Sequence, residues 1–201
     1  MESKSEGVIM ETKQEFKRES AKRIFARDFN MTKFDVKFDE SDDKSPTFII
    51  SPTGALASRI LISGILTAKE KKTDKNVLYN GKVNDNTGDF RITASHFNPQ
   101  AQQQFAAIRD LPIFVTVIGK PSMYKREDGK IFTTVRVEDI VVTDKLTRDL
   151  WTLDTAKATY NRIALLEEGT DEFMKDVKAK YNTDPNVFKA IAKSAVDSIV
   201  E

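Results

Sequence analysis

Residues 82–97, KVNDNTGDFRITASHF, decide how the rest of the chain is read. Both ends alternate in the manner of β-strands, whereas Asn84 to Asp89 (NDNTGD) is a run of six turn-forming residues. The pattern is that of a hairpin: strands over 77–84 and 89–97, reversed by a turn in which Gly88 supplies the positive φ such turns require. The acids of the turn fit a capped Asp or Asn better than a cation site.

Working outward, period-two alternation and β-branched residues predict three further strands, over 57–69, 113–124 and 131–142. The stretch AKEKKTDKN (68–76) reads as the loop between the first and second strands, and REDGK (126–130) as an Asp-Gly turn between the fourth and fifth. Between the third and fourth lies NPQAQQQFAAIRD (98–110), a helical insert with Pro99 in its first turn. The order strand, strand, strand, helix, strand, strand is the signature of an OB-fold, a partly open five-stranded barrel. Alternation places Ile60, Ile62, Gly64, Val115, Val117, Gly119, Val135 and Val137 in its interior. Gly64 and Gly119 fall inside strands, where a small barrel needs sharp coiling or close backbone approach.

The flanks read as helical. Good helix formers over 11–29, with Phe16, Ala21, Ile24, Phe25 and Phe29 along one stripe, predict an amino-terminal helix. The acidic run FDESDDKSP (38–46) reads as a loop, and TFIISP (47–52) as a lead-in strand ending in a Pro-Thr-Gly turn. Beyond Asp144, the residues Leu146, Leu150, Leu153, Ala156, Tyr160 and Ile163 follow a three-and-four spacing close to a heptad seam, which Gly169 interrupts. Helices over 171–181 and 185–200 follow, the second capped by Asp184 ahead of Pro185. The fold class is therefore mainly β with flanking helices. Residues 1–55 form a helical and strand lead-in, 56–145 the barrel, and 146–201 a helical segment that docks a partner.

Composition narrows the function. The chain of 201 residues is 39% hydrophobic and 31% charged, and it contains no cysteine and a single histidine. Disulfides, cysteine-ligated zinc, a thiol nucleophile and histidine-rich metal sites are thereby excluded or disfavoured. No apolar run is long enough to span a membrane, and residues 1–10 lack a secretory core, so cytoplasmic residence is expected. The net charge of +1 is unevenly spread: residues 1–55 carry −1, 56–145 carry +4 and 146–201 carry −2. None of the eight glycines lies in a phosphate-cradling loop, and no nucleophile–base or paired-carboxylate arrangement emerges from the spacing. An enzyme, a metal site and a cofactor are not expected.

What remains is a mixture of cations, hydroxyls and aromatics on one sheet face. Opposite in parity to the core lie Lys82, then Arg91, Thr93, Ser95 and Phe97, then Phe132, Thr134 and Arg136. Such a face suits single-stranded nucleic acid, since cations track phosphates and exposed rings stack unpaired bases. Alternation alone leaves open whether Phe97 and Phe132 stack bases or pack against a flanking helix. Tyr124, followed by Lys125 and Arg126, is either a second stacking post at a loop mouth or a half-buried strand-end tyrosine. His96 alternates away from Phe97 and reads as structural, and Trp151 as packing against the barrel bottom.

The motifs ISGILTAKEK (62–71), KVNDNTGDFRITASHF, FVTVIGKPSMYK (114–125) and the following helix together resemble the middle subunit of replication protein A, the single-stranded-DNA-binding complex. Closer still is the likeness to archaeal replication-protein-A-associated OB-fold proteins. It is carried by RESAKRIFARDF (18–29), PTGALASRI (52–60) and TRDLWTLDTAKATYNRI (147–163), and spans residues 18–163. The resemblance implies a non-enzymatic accessory subunit acting in DNA replication, repair and recombination. It puts the base-stacking positions at Phe97 and Tyr124; Lys82, Arg91, Lys125, Phe132 and Arg136, read from the residue pattern, complete the expected DNA face. It also makes Leu146, Leu150, Leu153, Tyr160 and Ile163 the seam that joins a replication-protein-A-type subunit. The absence of a zinc finger, a tail after Gly169 shorter than a winged-helix domain and the near-neutral charge point to a subordinate role in a complex. Two alternatives stand beside it: an OB-fold assembly module with little DNA affinity, and an RNA-binding OB-fold protein.

Overall fold

A computed structural model describes residues 20–42, 45–73, 76–182 and 184–200. The chain opens with α1 (Ala26–Asn30), β1 (Phe34–Lys37), β2 (Thr47–Ile50) and β3 (Leu56–Ala57). It continues through β4 (Ile60–Thr73), β5 (Val77–Asn84), β6 (Asp89–Ser95), α2 (Pro99–Ala107), β7 (Ile113–Lys125) and β8 (Ile131–Val142). Three helices end it: α3 (Lys145–Glu168), α4 (Glu172–Tyr181) and α5 (Pro185–Val200).

Strands β4 to β8 close a barrel in the order β4-β5-β6-β8-β7, antiparallel throughout except where β6 lies parallel to β8. That closure, with α2 inserted between the third and fourth barrel strands, is the OB-fold. The interior is built by the expected alternation: Ile60, Ile62, Val115, Val117, Val135 and Val137 are all buried, joined by Leu66, Val83, Phe90 and Ile92. Both interior glycines sit where strands press together. A Cβ at Gly64 would land on the carbonyl of Asn84, and one at Gly119 would lie 2.5 Å from the carbonyl oxygen of Arg136. Register shifts at Leu66/Ala68 in β4 and Ile118/Gly119 in β7 supply the extra twist a small barrel needs.

Strand β4 runs further than alternation suggested. Glu70, Lys71, Lys72 and Thr73 continue the ladder with Asn80, Tyr79, Leu78 and Val77, so most of the expected 68–76 loop is strand. Polar residues occupy both faces there, and period-two hydrophobicity cannot report a strand that buries neither. The turn after β5 also differs. Its left-handed residue is Asn86, at φ 72°, rather than Gly88. The Asp85 carboxylate accepts the N–H groups of Thr87 and Gly88, and the Asn84 side chain accepts that of Asn86. Asn tolerates that conformation, and the two side chains fold the turn as Asx turns.

Among the described residues, the expected 11–29 helix is helical only over α1; Phe16 and the rest of 11–19 lie outside them. Residues 20–25 are not helical, because Lys22 pairs with the barrel instead. Its N–H donates to the Arg59 carbonyl and its carbonyl accepts the Leu61 N–H, both at 2.9 Å. Ladder bonds to β4 outweigh the helical propensity of this stretch. The pairing delivers Phe25 and Phe29 to the barrel's end. There Phe25 meets Trp151 edge-on at 5.8 Å and Phe29 meets Phe90 at 5.5 Å.

The lead-in also contains a strand the sequence did not announce. β1 pairs with β2 and β2 with β3, making a three-stranded sheet beside the barrel. Helix α4 covers it, with Ile50, Leu166, Met174 and Val177 forming a second apolar cluster. The Tyr181 hydroxyl donates to the Ile50 carbonyl and accepts the Lys33 N–H, fastening α4 to the sheet. Burial pushes that phenol up to about 12. Beneath it, the buried Asp28 carboxylate accepts the Ser51 hydroxyl at 3.1 Å and the Thr53 hydroxyl at 2.5 Å, and lies 3.9 Å from the Arg162 guanidinium.

Asp144 caps α3 through the Thr147 N–H at 2.8 Å, and Gly169 ends the helix in the left-handed region at φ 63°. Trp151 is buried against the barrel, its indole N–H donating to the Leu61 carbonyl at 2.8 Å. Helix α5 packs along α3, and its end reaches the β5–β6 turn, where Asn86 donates to Ser198. The expected seam on α3 divides. Leu146, Leu150 and Leu153 are 66%, 56% and 46% exposed and Tyr160 is partly so, whereas Ile163 is fully buried. Ile163 therefore drops out, because the flank of α3 on which it lies is already covered within the chain. Among the described residues, no helix is long and apolar enough to cross a membrane.

Candidate nucleic-acid interface

Strand pairing gathers most of the expected residues on one face; Lys125, which pairs with Ile131, alternates to the other side. Lys82 on β5 lies directly opposite Arg91 on β6, Thr93 on β6 lies beside Arg136 on β8, and Tyr124 on β7 opposes Phe132 on β8. Lys82, Arg91, Lys125 and Arg136 are exposed, and Phe132 and Thr134 are half-buried. Because β6 and β8 run parallel with Ile92 beside Val135, Phe132 and Tyr124 sit near the start of β6, and Phe97 lies past its end. The two exposed aromatics thus mark opposite ends of the face. From Asp89 to Ser95 the strand covers about 20 Å at roughly 3.3 Å per residue, and Phe97 lies in the turn beyond.

Phe97 is 86% exposed and Tyr124 65% exposed. Strand β6 ends at Ser95, and His96 and Phe97 form a turn ahead of α2. Their rings lie 4.1 Å apart at 35°, so His96 stacks beside Phe97 and does not alternate away from it. Asn98 then starts α2, its side chain accepting the Ala101 N–H and donating to the Glu138 carbonyl. The sequence places the aromatic on the turn because the helix start is tied to β8.

Between the two ends runs a groove of about 270 Å³, bordered by Lys69, Gly81, Lys82, Arg91, Thr93 and Thr134. Lys69, at the junction of the expected 57–69 strand and 68–76 loop, carries no period-two signal that would single it out. Its ammonium donates to the Ala106 and Ile108 carbonyls at 2.9 and 2.6 Å, holding the end of α2. Partial burial pulls it below the ordinary lysine range. Lys82 and Arg91 make no ion pair among the described residues. Arg91 and Arg126 place their guanidinium carbons 5.3 and 5.7 Å from the centre of the Phe132 ring. Arg126, the second of the two cations after Tyr124, lies just past the end of β7, in the turn that leads to β8.

Of the two acids of NDNTGD, Asp89 is exposed with the parity of Arg91 and accepts the Asn84 amide at 2.8 Å, whereas Asp85 points away from this face. Asp85 is buried, accepting the Ala26 N–H at 2.7 Å, the N–H and hydroxyl of Thr87 and the N–H of Gly88. Burial outweighs these bonds and pushes its carboxyl up to about 6. The turn thereby caps α1, and among the described residues no cluster of acids and histidine is arranged to hold a metal ion.

No family model and no curated protein matches the chain. Several solved structures do. A chain of the S. pombe Stn1–Ten1 complex superposes with a TM-score of 0.53 at 12% identity, covering 71% of this chain and 93% of its own. A replication protein A heterotrimer bound to ssDNA gives 0.49 at 10% identity, over 72% of this chain and 98% of that one. The S. cerevisiae mitochondrial single-stranded DNA-binding protein Rim1 gives 0.36 at 18% identity, over 43% and 96%. The likeness to the S. pombe complex is one of fold, and it extends well past the barrel.

Proposed function

We propose that the chain binds single-stranded DNA across the β5–β6–β8 face, as an accessory subunit of a replication protein A-type complex in DNA replication, repair and recombination. One observation carries the reading: Phe97 and Tyr124 stand exposed at opposite ends of a face whose centre holds Lys82 and Arg91 in direct register. Like charges set opposite each other on paired strands are destabilising, by up to about 1 kcal/mol, until an anion lies between them. A DNA phosphate relieves that repulsion. The two rings then stack bases, each contributing about 1–3 kcal/mol, while Arg136 extends the cationic track and Lys125 stands at its edge.

The exposed stripe of Leu146, Leu150 and Leu153, with Tyr160 at its edge, is the docking face for a replication-protein-A-type subunit. Helix α5 packs on another flank of α3, and among the described residues nothing covers this stripe, leaving it open to a partner helix. An assembly module without DNA affinity fits less well, because nothing in the described chain covers Phe97 or Tyr124.

The test replaces Phe97 and Tyr124 together by alanine and measures binding to oligothymidine at fixed salt. Both side chains are exposed, so the variant is expected to fold and to lose affinity at least tenfold. Undiminished binding sinks the stacking role, and preference for a structured RNA over oligothymidine replaces the ligand.

A further inference from the structure

Phe132 was grouped with the stacking aromatics, but its surroundings differ from those of Phe97 and Tyr124. It is half-buried, and two guanidinium groups already lie against its ring. They arrive from the two strands that flank β8: Arg91 from β6 and Arg126 from the residue that follows β7. Both backbones are fixed. The Thr134 hydroxyl donates to the Arg91 carbonyl at 3.2 Å, and the Arg126 N–H donates to the Lys130 carbonyl at 2.9 Å. What the backbone does not fix is the long side chain of each arginine. The other charged group at Arg126 is the Asp128 carboxylate, 3.9 Å from its Nε and on the same turn. A guanidinium is planar and weakly hydrated, and an aromatic ring holds it by cation–π attraction.

We infer that Phe132 is a positioning residue, whose ring sets Arg91 and Arg126 to receive neighbouring phosphates of a single strand. The inference rests on the reading of this face as a DNA site and assigns a different task to one of its aromatics. Phe97 and Tyr124 meet bases; Phe132 orients cations. Arg91 borders the groove with Lys82, so the ring organises the cationic side of the groove and extends it toward the β7–β8 turn.

Stacking and cation placement separate through salt. Loss of a stacked base lowers affinity by the same factor at every salt concentration. Loss of a phosphate contact flattens the dependence of log K on log salt, by about 0.7 per contact on single strands. The experiment measures oligothymidine binding by the full chain over a salt series for the parent, Phe132→Leu, Phe132→Tyr, the double variant Arg91→Gln/Arg126→Gln, and the triple variant combining that pair with Phe132→Leu. Phe132→Leu is expected to flatten the slope by up to about 1.4, two contacts' worth, with its affinity converging on the parent's at high salt. Phe132→Tyr keeps the ring and is expected to restore the parent's slope. The triple variant is expected to bind no worse than the double. Phe132→Met, of similar volume and without a ring, replaces the leucine variant if that one does not fold. A uniform loss at all salt concentrations overturns the inference, as does an unchanged slope and affinity in the ringless variant. A parent chain that binds no oligothymidine at any salt overturns the DNA site itself, a result distinct from either.

Discussion

The carboxylate of Asp85 accepts the backbone N–H of Ala26 at 2.7 Å, so the turn that joins the two ligand-facing strands also caps the first residue of α1. Thr87 adds a second tie, accepting the Arg27 N–H at 3.1 Å. The geometry of the binding hairpin is therefore coupled to the helix that plugs the barrel, and the coupling runs through a buried acid.

That acid gives the fold a pH dependence. Its carboxyl is pushed from 3.8 up to about 6 by burial, so the folded chain holds the proton more tightly than the unfolded one. The resulting stabilisation is complete below about pH 4 and is lost as pH rises through about 6, a change of up to about 3 kcal/mol. Asp28 is raised in the same direction by its own burial, so the comparison must isolate Asp85. Urea midpoints of the parent and Asp85→Asn between pH 4 and 7 are expected to show a shallower pH slope in the variant. Parallel slopes would rule out the assignment.

The strand glycines are expected to tolerate no side chain. An added Cβ at Gly119 meets backbone at 2.5 Å and the Val135 side chain at 2.6 Å. Alanine at Gly64 or Gly119 should cost about 1–3 kcal/mol or more through overpacking, measured as a fall in thermal midpoint.

The divided seam on α3 separates assembly from stability. Serine at Leu146, Leu150 and Leu153 should leave the urea midpoint nearly unchanged and abolish the mass increase on mixing with a replication-protein-A-type subunit. Alanine at the buried Ile163 should cost about 2–5 kcal/mol. Retained complex formation by the serine variant would remove the docking face.

Asp28 and Arg162 form a buried pair at 3.9 Å, which joins α1 to α3 through Thr53. Removing Asp28 alone leaves a guanidinium in the interior without its counter-charge and is expected to cost about 3–5 kcal/mol. Asp28→Ala combined with Arg162→Met should recover a good part of that loss in chemical denaturation. An additive double variant would show that the two do not interact.

The barrel was legible because its strands each bury one face. Val77–Asn84 and Ile131–Val142 were read with both ends correct, and the interior residues followed from parity. Where both faces are polar, as at the end of β4, the same reasoning saw a loop. β1 escaped notice because FDVK is short and its partner strand lies beyond an acidic loop. Residues 20–25 have helical propensity, yet their hydrogen bonds go to Arg59 and Leu61, a tertiary choice that local pattern does not contain. At the candidate site, parity gave the face but not the company each residue keeps. Period two places Phe132 and Arg91 on one side of the sheet, and only the parallel register of β6 and β8 brings them together.

The seam between β4 and β7 joins residues roughly fifty positions apart, from Leu66 with Ile113 to Ile60 with Gly119, whereas the β4–β5, β5–β6 and β7–β8 pairs are local hairpins. The three hairpins can form early, each closing a short loop, while the seam must wait for a larger loss of chain entropy. Helix α3 leans on that seam through Trp151 and Leu61. Closure of the barrel and docking of the helix that would receive a partner are thus expected late in the folding order. A chain interrupted before them holds its ligand-facing hairpin already paired while its assembly face has nowhere to sit.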